Sequence, residues 1–380
     1  MPPVNQAAWL KARNARPLVV GPAPYTAPGP GQIVVKNHAV AINPVDWCLQ
    51  LLGQFVLTFI KYPMVPGGDL AGKVVEVGKG VEGFHVGDRV MALGCSAAPD
   101  LAASHTAAQA EGAFQLYTVV RPPLAARIPA WMAYTDACVL PLTLATAAYG
   151  LFHPGFLALD LPTVPARPVS STKKVLVTGG ASSVGCNGIQ LATQAGYQVV
   201  TTASPKNFAY VKALGAAAVF DYRSKTLQDD LVQALAGGEV VGALAVGDGS
   251  VELCMNVLGR LPGSRRFVAL AGAAMVPPKV ASVTGRASFI ASTLWQGVRT
   301  SMAGRSTGVE AKFVDTKDLL QDDCVVGRDV FGRFLPAALA AQQYVTAPRT
   351  RVAGHGLEAL QAAMDLQRNG VSAEKVVVTL

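Results

Sequence analysis

Four residues, VLVT at 175–178, run into GGASSVG at 179–185 and then into CNGIQLATQAG at 186–196. The first run reads as a buried strand, the second as a turn and the third as a helix that stops at Gly196. A glycine turn between strand and helix lets the backbone approach a pyrophosphate, and the helix N-terminus turns its free N–H groups towards that charge. The usual spacings are G-x-x-G-x-x-G and G-x-G-x-x-G. Gly179 and Gly185 hold the outer positions here, and Ser182 replaces the middle glycine. A tight βα turn with no ligand would look the same locally, so the motif draws its weight from the residues downstream of it.

Downstream lies a second strand, YQVVTTA at 197–203, and then Ser204, Pro205, Lys206 and Asn207. Enzymes that take NAD usually place an Asp or Glu at this strand end to bind the ribose 2′-hydroxyl. A carboxylate would repel a 2′-phosphate, whereas a hydroxyl, an ammonium and N–H groups bind one. The residues therefore point to NADPH. Tyr222 closes the third strand, placed to hydrogen-bond there or to stack on the adenine. Taken singly, Ser204 reads as a helix cap and Lys206 as a solvated lysine; their joint position at the strand end favours the phosphate.

Other reactive residues are sparse. Cys48, Cys95, Cys138, Cys186, Cys254 and Cys324 are widely spaced with no CxxC pair, so they read as small buried hydrophobes in a reducing compartment. The five histidines are scattered, and His85 and His153 each read as a surface or core histidine. Zinc needs three or four convergent ligands, which this spacing does not provide. GDGS at 247–250 lacks the G-x-S-x-G of a nucleophile elbow and reads as the cap of a helix over 250–258. Asp46 reads as a turn or structural hydrogen-bonding group before a catalytic one. Tyr62 is a phenol beside a turn, able to donate a proton.

These residues sit on two kinds of scaffold. Short Val-rich runs cut by glycine turns (32–42, 71–77, 88–92) suggest a small barrel. From Lys174 strands and helices alternate every 20 or so residues, which means βαβ units and a parallel sheet: further strands at 217–222, 242–247 and 266–272, and helices at 227–236 and 250–258. A helix at 134–152 breaks near Pro141, 99–111 and 161–172 read as loops, and the tail carries one helix and the strand KVVVTL. With 380 residues, 51% hydrophobic and 15% charged, the chain has material for two cores. The net charge of +8 is scattered, which argues against a nucleic-acid partner. The opening MPPVNQAAWLKARN lacks an apolar signal core, and no run of about 20 apolar residues offers a membrane span. A cytoplasmic protein is expected.

Together AVAINPVDW (39–47), PGGDLAG (66–72), VGKGVEGFHVGDRV (77–90), GAFQLYTVV (112–120), LPLTLATAAYGL (140–151) and VLVTGGASSVG (175–185) resemble the medium-chain dehydrogenase/reductase superfamily over nearly the whole chain. Within it the chain is most similar to the zinc-free quinone-reductase and enoyl-reductase branch, and to fungal trans-acting enoyl reductases of polyketide assembly, through TASPKNF (202–208) and FDYR (220–223). The resemblance implies an α/β protein: a GroES-like β-barrel catalytic domain (1–133 and 335–380) and a Rossmann doubly wound parallel sheet binding NADPH (134–334), with the active site in the cleft. It implies that Val45, Asp46, Trp47, Cys48 and Thr146 line the nicotinamide. Gly179, Ala181, Ser182, Ser183 and Val184 would hold the pyrophosphate. Ser204, Pro205, Lys206, Asn207 and Tyr222 would take the 2′-phosphate end, and Ala269 and Leu270 the nicotinamide ribose. Thr146 and Tyr62 are the candidate catalytic residues.

Departures sharpen the expectation. Zinc alcohol dehydrogenases carry Cys where this chain has Asn43, His-Glu where it has Gly68-Asp69, and a four-cysteine lobe where only Cys95 remains. Without a Lewis acid, reduction of an activated C=C is the expected chemistry, because the substrate's own carbonyl takes the charge. The substrate would be small, hydrophobic and polyketide-like, delivered by the acyl carrier of a polyketide synthase to a monomer or homodimer. A quinone reductase and a non-catalytic NADPH-binding protein are the alternatives. The segment 287–298, with Arg299 following, reads either as a cover for the cleft mouth or as an ordinary amphipathic surface helix.

Overall fold

The computed structural model describes residues 3–55, 58, 60–96, 104–272, 297–315, 324 and 326–380. The chain falls into two compact units. Unit one comprises Met1–Leu142 and Arg349–Leu380; unit two comprises Thr143–Leu319 and Asp323–Pro348.

Unit one is built on antiparallel strands. β1 (Asn5–Trp9) pairs with β2 (Val19–Ala23) as a small ribbon. The main sheet holds β3 (Ile33–Ala41), β4 (Asp69–Val77), β5 (Arg89–Leu93), β6 (Tyr117–Val120) and β7 (Ala125–Arg127), joined by β14 (Arg349–His355) and β15 (Glu374–Thr379) from the tail. Its order is β14-β15-β3-β4-β5-β7, with β6 also on β3. The pairing of Val377–Thr379 with Ala39–Ala41 brings the end of the chain into the N-terminal sheet. Along β3 the residues around Lys36 and His38 are buried and those two are not, so one face closes on a core while the other is open only at its middle. Helix α1 (Pro44–Leu51) follows β3 directly, with proline in its first turn, where a missing N–H costs nothing.

Two expectations are corrected here. Residues 105–110, read as part of a loop, form helix α2 (His105–Ala110), whose first turn is capped by the Ser104 hydroxyl accepting from the Ala107 N–H at 3.3 Å. It buries only Ala110, so it leaves no apolar period to detect. Strand β14 is absent from the expected elements. It is an edge strand paired only with β15, and its side chains are half-buried or exposed, so it lacks apolar alternation.

Unit two is a six-stranded sheet in the order β10-β9-β8-β11-β12-β13. Its strands are β8 (Lys173–Val177), β9 (Gln198–Ala203), β10 (Ala216–Asp221), β11 (Glu239–Ala245), β12 (Phe267–Leu270) and β13 (Glu310–Phe313). All five pairings are parallel. This is the doubly wound order, which reverses between β8 and β11 and leaves a crevice at the strands' carboxyl ends. One face is covered by α7 (Leu227–Leu235) and α8 (Ser250–Gly259), whose leucines pack on Leu176, Val200, Val240 and Ala243. Helix α4 (Pro141–Phe152) and helix α5 (Ser183–Gln194) both bear on β11, since a Cβ at Gly150 or Gly188 would lie 2.8 Å from a Leu244 methyl. The break expected near Pro141 separates α4 from a short helix α3 (Tyr134–Ala137). GDGS does not cap α8 with a side chain: Gly249 takes the cap position at φ 71°, and the Ser250 hydroxyl donates back to the Gly247 carbonyl at 2.5 Å.

By length and composition, Tyr134–Phe152 is apolar enough to cross a membrane, but 78% of it is buried inside the protein. The segment 287–296 lies outside the described residues.

Candidate active site

Strand β8 feeds the glycine turn. Gly179 adopts φ 60°, and a Cβ at Gly185 would sit 2.2 Å from the Gly179 carbonyl oxygen, so both ends of the turn require glycine. Gly179 and Gly180 donate to the hydroxyl and carbonyl of Thr202 on β9 at 3.0 and 2.8 Å, which pins the turn to the neighbouring strand. The helix opens earlier than its apolar pattern indicates. Ser182 is its cap, and its hydroxyl accepts from the Gly185 N–H at 3.0 Å. The serine in the middle glycine's place thus performs local work. Among the described residues no acceptor meets the N–H groups of Ala181, Ser183 and Val184, and all three residues are half-buried. Unpaired N–H groups at a helix N-terminus suit an anion, so the donor set fits a pyrophosphate.

At the end of β9, Pro205–Asn207 form a single tight turn before α6 (Phe208–Ala213). Ser204 precedes that turn but makes no side-chain cap bond, so its hydroxyl is not spent on capping. Lys206 is exposed, and Tyr222, 53% exposed, follows β10 with the Arg223 guanidinium 5.5 Å from its ring centre. Arg223 is held by Asp221 at 3.3 Å, and the Arg223 N–H, followed by its guanidinium, keeps the half-buried Asp221 carboxyl below its usual range. Ala269 and Leu270 close β12, the first buried and the second half-buried. Thr146 lies on α4, flanked by fully buried Leu144, Ala145, Ala147 and Ala148 but itself half-buried, as is Leu142 one turn before it. Leu142 and Thr146 are thus the two positions of this apolar helix that are only half-buried.

Unit one carries the remaining candidates. Asn43 and Asp46 form a reciprocal cap on α1, with the Asp46 carboxylate accepting from the Asn43 N–H at 2.7 Å. Burial, the first cause, and the nearby Asp69 charge push Asp46 up to about 7, against the opposing pull of Lys375 and two backbone N–H groups. Val45 and Cys48 are half-buried, and burial raises the Cys48 thiol to about 12, which keeps it an unreactive neutral group. The Trp47 indole donates to Gln367. Tyr62 packs its hydroxyl against Gly53, where a Cβ would lie 1.7 Å away, and the buried oxygen has no hydrogen-bond partner among the described residues. Burial raises its pKa, so the phenol stays protonated.

A group that sequence reasoning missed lies beside Asp46. Asp69 is fully buried, and one carboxylate oxygen accepts from the Leu142 N–H at 2.7 Å. The other accepts from the Asn43 amide at 2.8 Å and meets the Lys375 ammonium at 2.9 Å. Lys375 also donates to the Asn43 side-chain oxygen and is 3% exposed. The ammonium thus bonds the side chains at two of the positions where zinc relatives differ from this chain. Among the described residues no group of three or more His, Cys, Asp or Glu is placed to hold a metal ion. The only advance signal was a lysine inside an apolar terminal strand, whose partner stands more than three hundred residues away.

The model of the alcohol dehydrogenase GroES-like domain matches residues 29–130. The chain is 46% identical to Dehydrogenase pigH of Monascus ruber over 100% of both proteins. It is 34% identical to Trans-enoyl reductase himH of Aspergillus japonicus, covering 99% of the chain and 98% of that protein. Its fold matches the CurK enoyl reductase with a TM-score of 0.71 at 19% identity, covering 99% of each chain. With full-length relatives, a GroES-like sheet that takes in the C-terminal strand and a doubly wound sheet with a glycine turn, the chain belongs to the medium-chain dehydrogenase/reductase family of nicotinamide-dependent oxidoreductases.

Proposed function

We propose that this protein is an NADPH-dependent, zinc-independent reductase that adds hydride to the activated double bond of an enone or enoyl thioester. The observation that carries the cofactor choice is the end of β9. An uncommitted Ser204 hydroxyl and the exposed Lys206 stand there with no carboxylate on that turn. The relative named a trans-enoyl reductase supports the acceptor class.

When bound, the nicotinamide supplies the hydride. The Ala181, Ser183 and Val184 N–H groups hold the pyrophosphate, and Ser204, Lys206, Asn207 and Tyr222 hold the 2′-phosphate end. Thr146 orients the nicotinamide half. As hydride reaches the β-carbon, the C=C pair moves onto the carbonyl as an enolate. That charge needs only a hydrogen-bond donor, supplied by the Thr146 hydroxyl or a backbone N–H. The α-carbon then takes a proton from Tyr62 or from water. An isolated ketone would need stronger polarisation, and the residues at the zinc-ligand positions bond one another instead of offering a ligand set. The reading calls for a small hydrophobic, polyketide-like substrate, and for the acyl carrier of a polyketide synthase as the partner that presents it.

Steady-state assays test this. NADPH should be oxidised with enones and enoyl thioesters, with NADH much weaker and saturated ketones inert. Turnover confined to quinones would replace the acceptor, and cofactor binding without turnover on any acceptor would refute the reading.

A further inference from the structure

The N-terminus of α5 and Thr146 of α4 belong to unit two, and one buried amide joins the helices that carry them. Asn187 is fully buried one turn into α5. Its amide donates to the Thr143 hydroxyl of α4 at 3.2 Å and to the Ser183 carbonyl at 2.8 Å, and its oxygen accepts from the Tyr344 hydroxyl at 2.6 Å. Thr143 stands one turn before Thr146, and Ser183 is the first residue of α5. The same face of α5 continues the contact downstream. The Gln190 amide clamps both the N–H and the carbonyl of Val345 at 2.9 and 3.1 Å, and Gln194 donates to the Gln343 carbonyl at 2.5 Å. Residues 187, 190 and 194 are spaced as one helix face, so a single stripe of amides fixes α5 against α4 and against 343–345.

Buried polar groups at a helix interface gain little over well-packed apolar ones, and an unsatisfied member is expensive. Every described contact of Asn187 is satisfied, and its partners are directional, so the stripe specifies one relative placement of the two helices. Apolar packing alone would leave that placement loose. Gly150 and Gly188 seat both helices on Leu244, which sets their depth on the sheet; the Asn187–Thr143 bond sets their register along it.

We infer that Asn187, through Thr143, is a positioning residue that holds the pyrophosphate turn and Thr146 in the register hydride transfer requires. The inference rests on the proposed roles of those two sites. A displacement of about 1 Å at a reacting centre lowers a rate by roughly a hundredfold, whereas phosphate contacts tolerate it better. Loss of the bond should therefore separate chemistry from binding.

The test uses Asn187→Leu, Thr143→Val and their double variant in the full chain, with Thr143→Ser as the conservative control. NADPH dissociation constants are measured by titration, and hydride transfer by single turnover with protiated and 4-deuterated NADPH. Each single variant should bind NADPH within about threefold of wild type yet transfer hydride at least tenfold more slowly, with a full isotope effect. The double variant should be no slower than the worse single one, and Thr143→Ser should retain wild-type speed. Normal hydride transfer in folded variants, or equal losses in binding and rate, would overturn the inference. If Asn187→Leu does not fold, Thr143→Val at the other end of the bond decides alone. Wild-type turnover with any acceptor, enoyl or quinone, is the reference; its complete absence would refute the proposed function before this inference is reached.

Discussion

At the scale of single residues, two side chains give opposite kinds of prediction. Lys206 is exposed, and the proposed function gives it a phosphate contact. Lys206→Ala should weaken NADPH binding by roughly ten- to a hundredfold, the usual loss for one charged phosphate contact, and leave NADH nearly unchanged. Calorimetry with both cofactors decides it, and equal weakening of the two would remove Lys206 from the phosphate site. Asp46 is buried, and its consequence is for stability. In the folded chain it keeps its proton up to about pH 7, while in the unfolded chain it loses it near 4. Between those values the folded state binds more protons, so the Asp46 contribution to stability falls as pH rises through the window. The loss should run at about 1.4 kcal/mol per pH unit inside that window and level off above about pH 7. Asp46→Asn keeps an acceptor for the Asn43 N–H and should flatten that slope in denaturant melts. An unchanged slope would mean that Asp46 is ionised throughout.

At the scale of elements, the Asn43–Asp69–Lys375 group ties helix α1, strand β4, strand β15 and the first turn of α4 to one another. Breaking a buried pair by removing one partner typically costs about 3–5 kcal/mol, because the other charge is left unpaired. Lys375→Met alone should therefore be severely destabilising, and Lys375→Met with Asp69→Asn should recover a large part of the loss. Additive losses in denaturant melts would show that the two do not act as a pair. The contrast with the rest of the fold shows what a sequence can reveal. The alternation of β8, α5, β9 and β10 was legible because each element writes its own period, and Gly179 and Gly185 were legible because the turn leaves no alternative. Helix α2 was not, since one turn capped by Ser104 has no face to display. Strand β14 was not, since an edge strand needs no apolar side. Neither the Lys375 pairing nor the Asn187 stripe has a local signature: both are contacts between distant segments, and in isolation they read as a polar residue in an apolar element.

At the scale of the whole molecule, the proposed chemistry is hydride addition to a carbon of a conjugated double bond, with the charge taken by the substrate's own carbonyl. Family membership makes a nicotinamide-dependent oxidoreductase of the chain but does not choose between a C=C and a C=O acceptor. The proposed choice rests on Asn43 and Asp69, at two positions where zinc alcohol dehydrogenases carry other residues, being bonded to each other and to Lys375. The most direct measurement offers the enzyme an α,β-unsaturated thioester or ketone with 4-deuterated NADPH and locates the label by mass spectrometry and NMR. Deuterium at the β-carbon, with the carbonyl intact, is the expected result. Deuterium on a carbinol carbon, with the double bond intact, would contradict it.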